Sequence, residues 1–203
     1  MIFLRKGKNM KVERRMKVDV ELFEVGDIIN FKLIDGEKVQ AMAVKQTSDG
    51  ILFVLVDCLA KKYPMFNDIG HIDKEKITYA TSDLRKALNG EILERFPKKI
   101  KDRMVAVNVE GDMLRIPTEC EVFGENFYGR KESKFTKRWK PMKKKRNRVA
   151  SQGKEGPWEW YWLINRHKEY ATIFTNVGGG EVIYESAISS NGVRPVFMLK
   201  NAV

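Results

Sequence analysis

From Leu22 onward, apolar runs of strand length alternate with short polar breaks. FEVGDIINFKLIDGEKVQAMAVKQTSDGILFVLVDCL divides into three β-type runs, 27–33, 38–46 and 51–58, with Asp35-Gly36 and Asp49-Gly50 between them. Such dipeptides reach the positive-φ conformations of tight hairpin turns, so the segment predicts an antiparallel meander. After Pro64 the period changes. Ser82 stands as an N-cap before DLRKALNG, in which Leu84, Ala87 and Leu88 share one helical face and Asn89-Gly90 ends it. A second short helix, 91–96, runs up to Pro97. LRIPTECEVFGEN then predicts a strand end and a short helix beginning near Thr118 or Glu119. EWYWLINR (159–166), YATIFTNV (170–177) and GVRPVFML (192–199) are three further β-type runs, joined by turns at GGG (178–180) and SSNG (189–192).

Strands, two short helices, a long irregular centre and strands again predict an α+β fold, with a mostly antiparallel sheet built from both chain ends. The 203 residues, 43% of them hydrophobic, suffice for one core, and no Ser/Gly/Pro-rich linker divides them. The expected organisation is an arm at 1–20 and one domain at 21–203. No window approaches the roughly 18 apolar residues of a membrane span, and the first residues lack a secretory apolar run. A cytoplasmic or virion-associated location without a membrane partner is therefore expected.

Charge changes the picture by its distribution. The net charge is +11, yet residues 1–17 carry seven Lys/Arg against Glu13, and residues 130–148 carry eleven against Glu132. The rest of the chain has 20 basic and 25 acidic residues, so the body is mildly acidic. Eleven cations with one glutamate cannot be buried together, which predicts an exposed basic loop at 130–148. Within it, Arg138, Trp139, Lys143, Lys144, Lys145 and Arg146 could bind nucleic acid, the indole stacking on bases among phosphate-binding cations.

Catalytic signatures are sparse. GGGEVIYES has no P-loop lysine and opens no helix, and neither GxSxG nor HExxH occurs. Cys58 and Cys120 lie far apart with only His71 and His167 to help them, so no metal site and no cofactor are expected. Cys58 closes the run ILFVLVDCL and reads as a buried inert thiol; both histidines sit among polar neighbours and read as exposed. The suggestive cluster is aromatic. Trp158, Trp160, Tyr161 and Trp162 fall within five residues, and alternation places Trp160 and Trp162 on one strand face. Trp158, Trp160 and Trp162 with Asn165 and Arg166 form the candidate ligand surface.

The ordered set SDLRKALNG (82–90), RIPTECEVFG (115–124), NRVA (147–150), EWYWLINR (159–166) and NGVRPVFML (191–199) resembles an uncharacterised domain of gut Gram-positive bacteria and their prophages. Its members run S-x-LR-x-x-LN, TxxE, W[WY]LR and GVRP, and this chain reads LINR where LRSP is commoner. The resemblance spans roughly residues 22–199. It implies a fold distantly similar to formylglycine-generating enzymes and C-type lectins, in which terminal strands pair and a loop-rich centre carries the ligand. The enzymes of that fold depend on cysteines, and their activity is not carried over to a chain with Cys58 and Cys120 alone.

In such a fold Arg194, inside an apolar strand before Pro195, needs acceptors for its donors. Glu119 or Glu121 of PTECE is the expected partner in a buried ion pair. The function expected is a non-enzymatic phage-type module that binds a protein or glycan partner, at a surface receptor or against a host system. The alternative is nucleic-acid binding through 137–148.

Overall fold

The meander forms as expected in the computed structural model, which describes residues 23–131 and 137–200. Strands β1 (Ile28–Lys32), β2 (Lys38–Gln46) and β3 (Gly50–Leu55) pair antiparallel in sequence order. Short strands β4 (Tyr63–Pro64) and β5 (Met104–Val105) follow, then β6 (Ala150–Ser151), β7 (Trp158–Glu159), β8 (Tyr161–Arg166), β9 (Ile173–Gly178), β10 (Glu181–Ser186), β11 (Ser190–Asn191) and β12 (Val196–Lys200). The main sheet has the order β1-β2-β3-β12-β5, so the last strand extends the N-terminal meander, pairing with β3 on one side and β5 on the other. A second sheet, β10-β9-β8, is a three-stranded antiparallel meander. The fold is α+β with mostly antiparallel sheets and is compatible with a C-type-lectin-like fold.

Both faces of the main sheet are covered, which explains why β3 is apolar at every position. Ile51, Phe53, Leu55, Phe197 and Leu199 face one core together with Leu84, Leu88, Phe96 and Trp162. Leu52, Val54, Val196 and Met198 face a second, smaller core. Close approach of β3 to β12 requires Gly50, since a Cβ there would stand 2.1 Å from the Leu199 carbonyl oxygen. Helix α1 (Asp83–Ala87) starts at Ser82, whose side chain accepts from Arg85 N–H. Gly90, with φ −115° and ψ −106°, leaves the helical region, so the run that begins at Asp83 breaks at Asn89-Gly90 as expected. A further turn follows across this kink, and Pro97 caps another helix, α2 (Lys98–Lys101). Helix α3 (Glu119–Phe123) begins with a reciprocal capping box between Thr118 and Glu121 and ends at Gly124 with φ +95°.

The basic segment differs from its expected form. Of the part described, Trp139, Met142 and Arg148 are buried, and 3-10 turns at Lys140–Lys143 and Lys145–Asn147 run between them. Trp139 and Met142 pack on Met42, Val44, Leu52, Val54, Val196 and Met198. An apolar sheet face left to water would be costly, and two apolar side chains among the lysines supply its cover. The segment is therefore docked, with Lys143, Lys144, Lys145 and Arg146 exposed on its outside. The arm at 1–20 and residues 132–136 lie outside the described residues.

Arg194 also departs from expectation. It is fully buried but pairs with neither Glu119 nor Glu121. Its Nε donates to the Leu55 carbonyl at 2.9 Å, and Nη1 donates to the Tyr161 hydroxyl at 3.0 Å and the Asn147 carbonyl at 3.3 Å. The guanidinium lies 4.7 Å from the centroid of the Tyr161 ring. The two glutamates are satisfied nearer home, as their opposite directions on α3 allow: Glu121 by Arg115 and Glu119 by backbone N–H groups. Pro195 stands just before β12, where its missing N–H costs no ladder bond.

Candidate functional site

Arg115 and Glu121 line a cleft. Arg115 Nη2 and Nη1 grip the two Glu121 carboxylate oxygens at 2.6 and 2.7 Å, a bidentate pair that is nearly buried. Arg85 on α1 is held the same way by Asp112, at 2.7 and 3.1 Å, and donates also to the Ala80 carbonyl. The Asp112 carboxylate holds the Arg85 guanidinium above its ordinary pKa. Arg166, at the end of β8, donates to the carbonyls of Lys74 and Ile77 at 2.7 and 3.1 Å, with Glu75 at 3.6 Å. These three arginines, with Tyr79 and Ile164, line a cavity of about 530 Å³. Burial pushes the Tyr79 phenol above its usual pKa, against the pull of Arg115.

The rim is built differently. Arg130 and Lys131 line the same cavity and are exposed, and among the described residues neither has an ion pair. Their segment is nonetheless fixed. The Glu119 carboxylate accepts N–H bonds from Phe127, Tyr128 and Gly129 at 2.7, 3.0 and 2.8 Å, and Arg130 N–H donates to the Arg166 carbonyl at 2.8 Å. Asn165 completes the brace: its Oδ1 accepts from Glu119 N–H at 2.7 Å and its Nδ2 donates to the Arg130 carbonyl at 3.0 Å. Gly129 sits where a Cβ would stand 2.4 Å from both the Asn165 Cβ and a Glu119 carboxylate oxygen. The cleft thus has a floor of arginines held by carboxylates and backbone carbonyls, and exposed charges of two cations, Arg130 and Lys131, and one carboxylate, Glu110. It suits an anionic ligand.

The motifs of the sequence frame this cleft rather than filling it. Ser82 caps α1, Leu84 and Leu88 enter the core, and Arg85 meets Asp112. Asn89 hooks the far wall: its Oδ1 accepts from the N–H groups of Met113 and Leu114, and its Nδ2 donates to the Leu114 carbonyl. Thr118 and Glu121 cap α3, and Gly192 lies so close to Cys58 and Trp160 that a Cβ would clash with both.

The candidate ligand surface at 158–166 is not brought together. Trp158 and Trp160 are exposed and adjacent, with ring centroids 6.4 Å apart. Trp162 is wholly buried, its Nε1 donating to the Tyr63 carbonyl at 2.7 Å. Tyr161 is equally buried, because β8 has core on both sides and alternation cannot leave one face wet. Asn165 is a buried brace, and Arg166 belongs to the cleft at the far end of the strand, roughly 15–20 Å from the tryptophan pair at the usual rise per residue. Trp139, the proposed base-stacking residue, is buried with Arg115 over its ring at 5.8 Å and cannot stack on a base. Arg138 is half-buried and donates to the Met142 carbonyl. His71 is exposed as expected, but His167 is buried. Cys58 is buried, and burial pushes its thiol up to about 12.

Arg85 and Arg115 went unrecognised as site residues although each stands in a quoted motif next to apolar positions, the one available signal. Nothing local marks Arg130 and Lys131 apart from the other cations of their segment. Among the described residues, no group of three or more His, Cys, Asp or Glu could hold a metal ion, and no helix is long and apolar enough to cross a membrane. A family model described as Domain of unknown function (DUF6273) matches residues 50–201. No curated protein and no solved structure matches the chain.

Proposed function

The chain belongs to the DUF6273 family, and from that premise we propose that it is a non-enzymatic binding module whose cleft takes an anionic group of a protein or glycan partner. The observation that supports this is the pairing of an arginine floor held by Asp112 and Glu121 with Arg130 and Lys131, two exposed cations against the one exposed carboxylate of the lining, Glu110. The setting we propose is phage or prophage, at a surface receptor or against a host system, motivated by the order of motifs from Ser82 to Arg194. Titration calorimetry with polyglutamate and with a uronic-acid oligosaccharide tests the cleft. Binding of either probe should fall tenfold or more in the R130S/K131S variant, with the melting temperature unchanged. Equal binding by the variant, or binding of neither probe, would sink the proposal.

A second reading rests on Lys143, Lys144, Lys145 and Arg146, which stand exposed on turns anchored by Trp139 and Met142. A cationic surface of fixed shape can follow a phosphate backbone without stacking. Changing all four to Ser should then abolish DNA or RNA binding and flatten its salt dependence. Retention of salt-sensitive binding by that variant would dismiss this second reading.

A further inference from the structure

Close to the cleft lies an aromatic cluster that takes no part in its lining. Tyr128, Tyr170 and Tyr184 are 39%, 53% and 47% exposed, while His167 between them is buried. The His167 ring lies 6.1 Å from Tyr128 in a near-parallel stack, 5.0 Å from Tyr170 and 5.0 Å from Tyr184 edge-on, and Tyr128 meets Tyr184 at 5.1 Å. His167 is itself fixed, since its Nδ1 accepts from the backbone N–H groups of Glu169 and Tyr170. Three tyrosines are thus held around one buried ring and turned to solvent. Large apolar surface kept exposed on a braced scaffold marks a contact site.

The cluster and the cleft share two chain segments. Tyr128 is followed by Gly129, Arg130 and Lys131, and Arg166 is followed by His167, with Gly129 and His167 bridged antiparallel. One ligand can therefore span both. Tyrosines offer a flat apolar body with a hydroxyl at its edge, which suits the C–H face and hydroxyl rim of a sugar ring. Arg130 and Lys131, a few residues away, supply charge for a carboxylate.

We infer that Tyr128, Tyr170 and Tyr184 form a stacking subsite for a pyranose ring, and that the ligand is an acidic glycan whose carboxylate reaches Arg130 and Lys131. This rests on the anion-binding cleft and narrows its ligand to a sugar. The experiment compares a uronic-acid oligosaccharide with polyglutamate on the full chain, using Y170A/Y184A and R130S/K131S, with circular dichroism and thermal melts on each. The expected result is at least tenfold weaker oligosaccharide binding by Y170A/Y184A with its fold retained, whereas Y170F/Y184F keeps most of the affinity. If the tyrosine pair can be removed without loss, or if polyglutamate is the tighter ligand and loses as much, the sugar subsite is overturned while the cleft stands. If R130S/K131S leaves both probes bound as before, the cleft itself fails.

Discussion

At the residue scale, Arg194 and Glu119 are two buried charges whose hydrogen bonds go mainly to backbone, with Arg194 Nη2 left without a partner among the described residues. Replacing Arg194 by Ala would empty a fully buried volume and strip donors from the Leu55 and Asn147 carbonyls and from Tyr161. The expected loss is about 3 kcal/mol or more in chemical denaturation. Arg194→Met keeps much of the volume and removes a charge that no carboxylate among the described residues pairs with, so it should lose less. Equal losses for the two variants would contradict this ordering. Glu119→Gln turns an amide toward N–H groups that need acceptors, at a cost of about 2 kcal/mol. Hydrogen exchange should show faster exchange at Phe127, Tyr128 and Gly129, and ligand affinity at Arg130 should fall with it. Unchanged exchange would mean that the carboxylate does not hold this segment.

At the element scale, the segment from Lys137 to Arg148 is a cover for the main sheet whose outside is basic. Trp139→Ala should therefore destabilise the fold by about 3 kcal/mol and open the segment to trypsin, whereas the wild-type cover resists cleavage at Lys143–Arg146. Rapid cleavage of the wild-type protein there would restore the exposed loop expected from charge alone. Thr118→Ala removes the acceptor for Glu121 N–H and should cost about 1 kcal/mol in a urea melt. Because Glu121 also holds Arg115, that loss should appear in ligand binding too.

At the scale of the whole molecule, pH acts from both sides. Arg95 beside Asp35 and the Asn67 backbone N–H on Asp83 hold those carboxyls below the usual range, and hydrogen bonding from Tyr63 does the same for Glu91. A lowered folded pKa contributes stability above the unfolded value of about 4, lost as pH falls through the folded value. Cys58 and Tyr161 have the opposite sign, both raised by burial. The stabilisation from each is complete below its unfolded value and fades as pH rises through its folded one, for Cys58 from about 9 toward about 12. Thermal melts should give a plateau near neutrality with losses below pH 4 and above pH 9, and Cys58→Ala should weaken the alkaline loss. An alkaline arm that the substitution leaves intact would assign it to the tyrosines.

Short-range chemistry was legible in the sequence. The hairpins at Asp35-Gly36 and Asp49-Gly50, the caps at Ser82 and Thr118, the α+β class and the buried Cys58 each depend on a few neighbouring residues or on one apolar run. β10 escaped because the glycine run before it made EVIYES read as part of a turn, and α2 because its four residues carry three lysines. What the tertiary structure alone decided is where distant segments meet. A second sheet face without a cover drew Trp139 and Met142 inward against the net charge of their neighbours. Main-chain carbonyls beside β3 and Asn147, 139 and 47 residues away in sequence, took the donors of Arg194. The cleft joins residues from Thr78 to Arg166, and the tyrosine cluster joins 128, 170 and 184 around His167. Such placements follow from which apolar faces must be buried together, and no local pattern of residue types records that partnership.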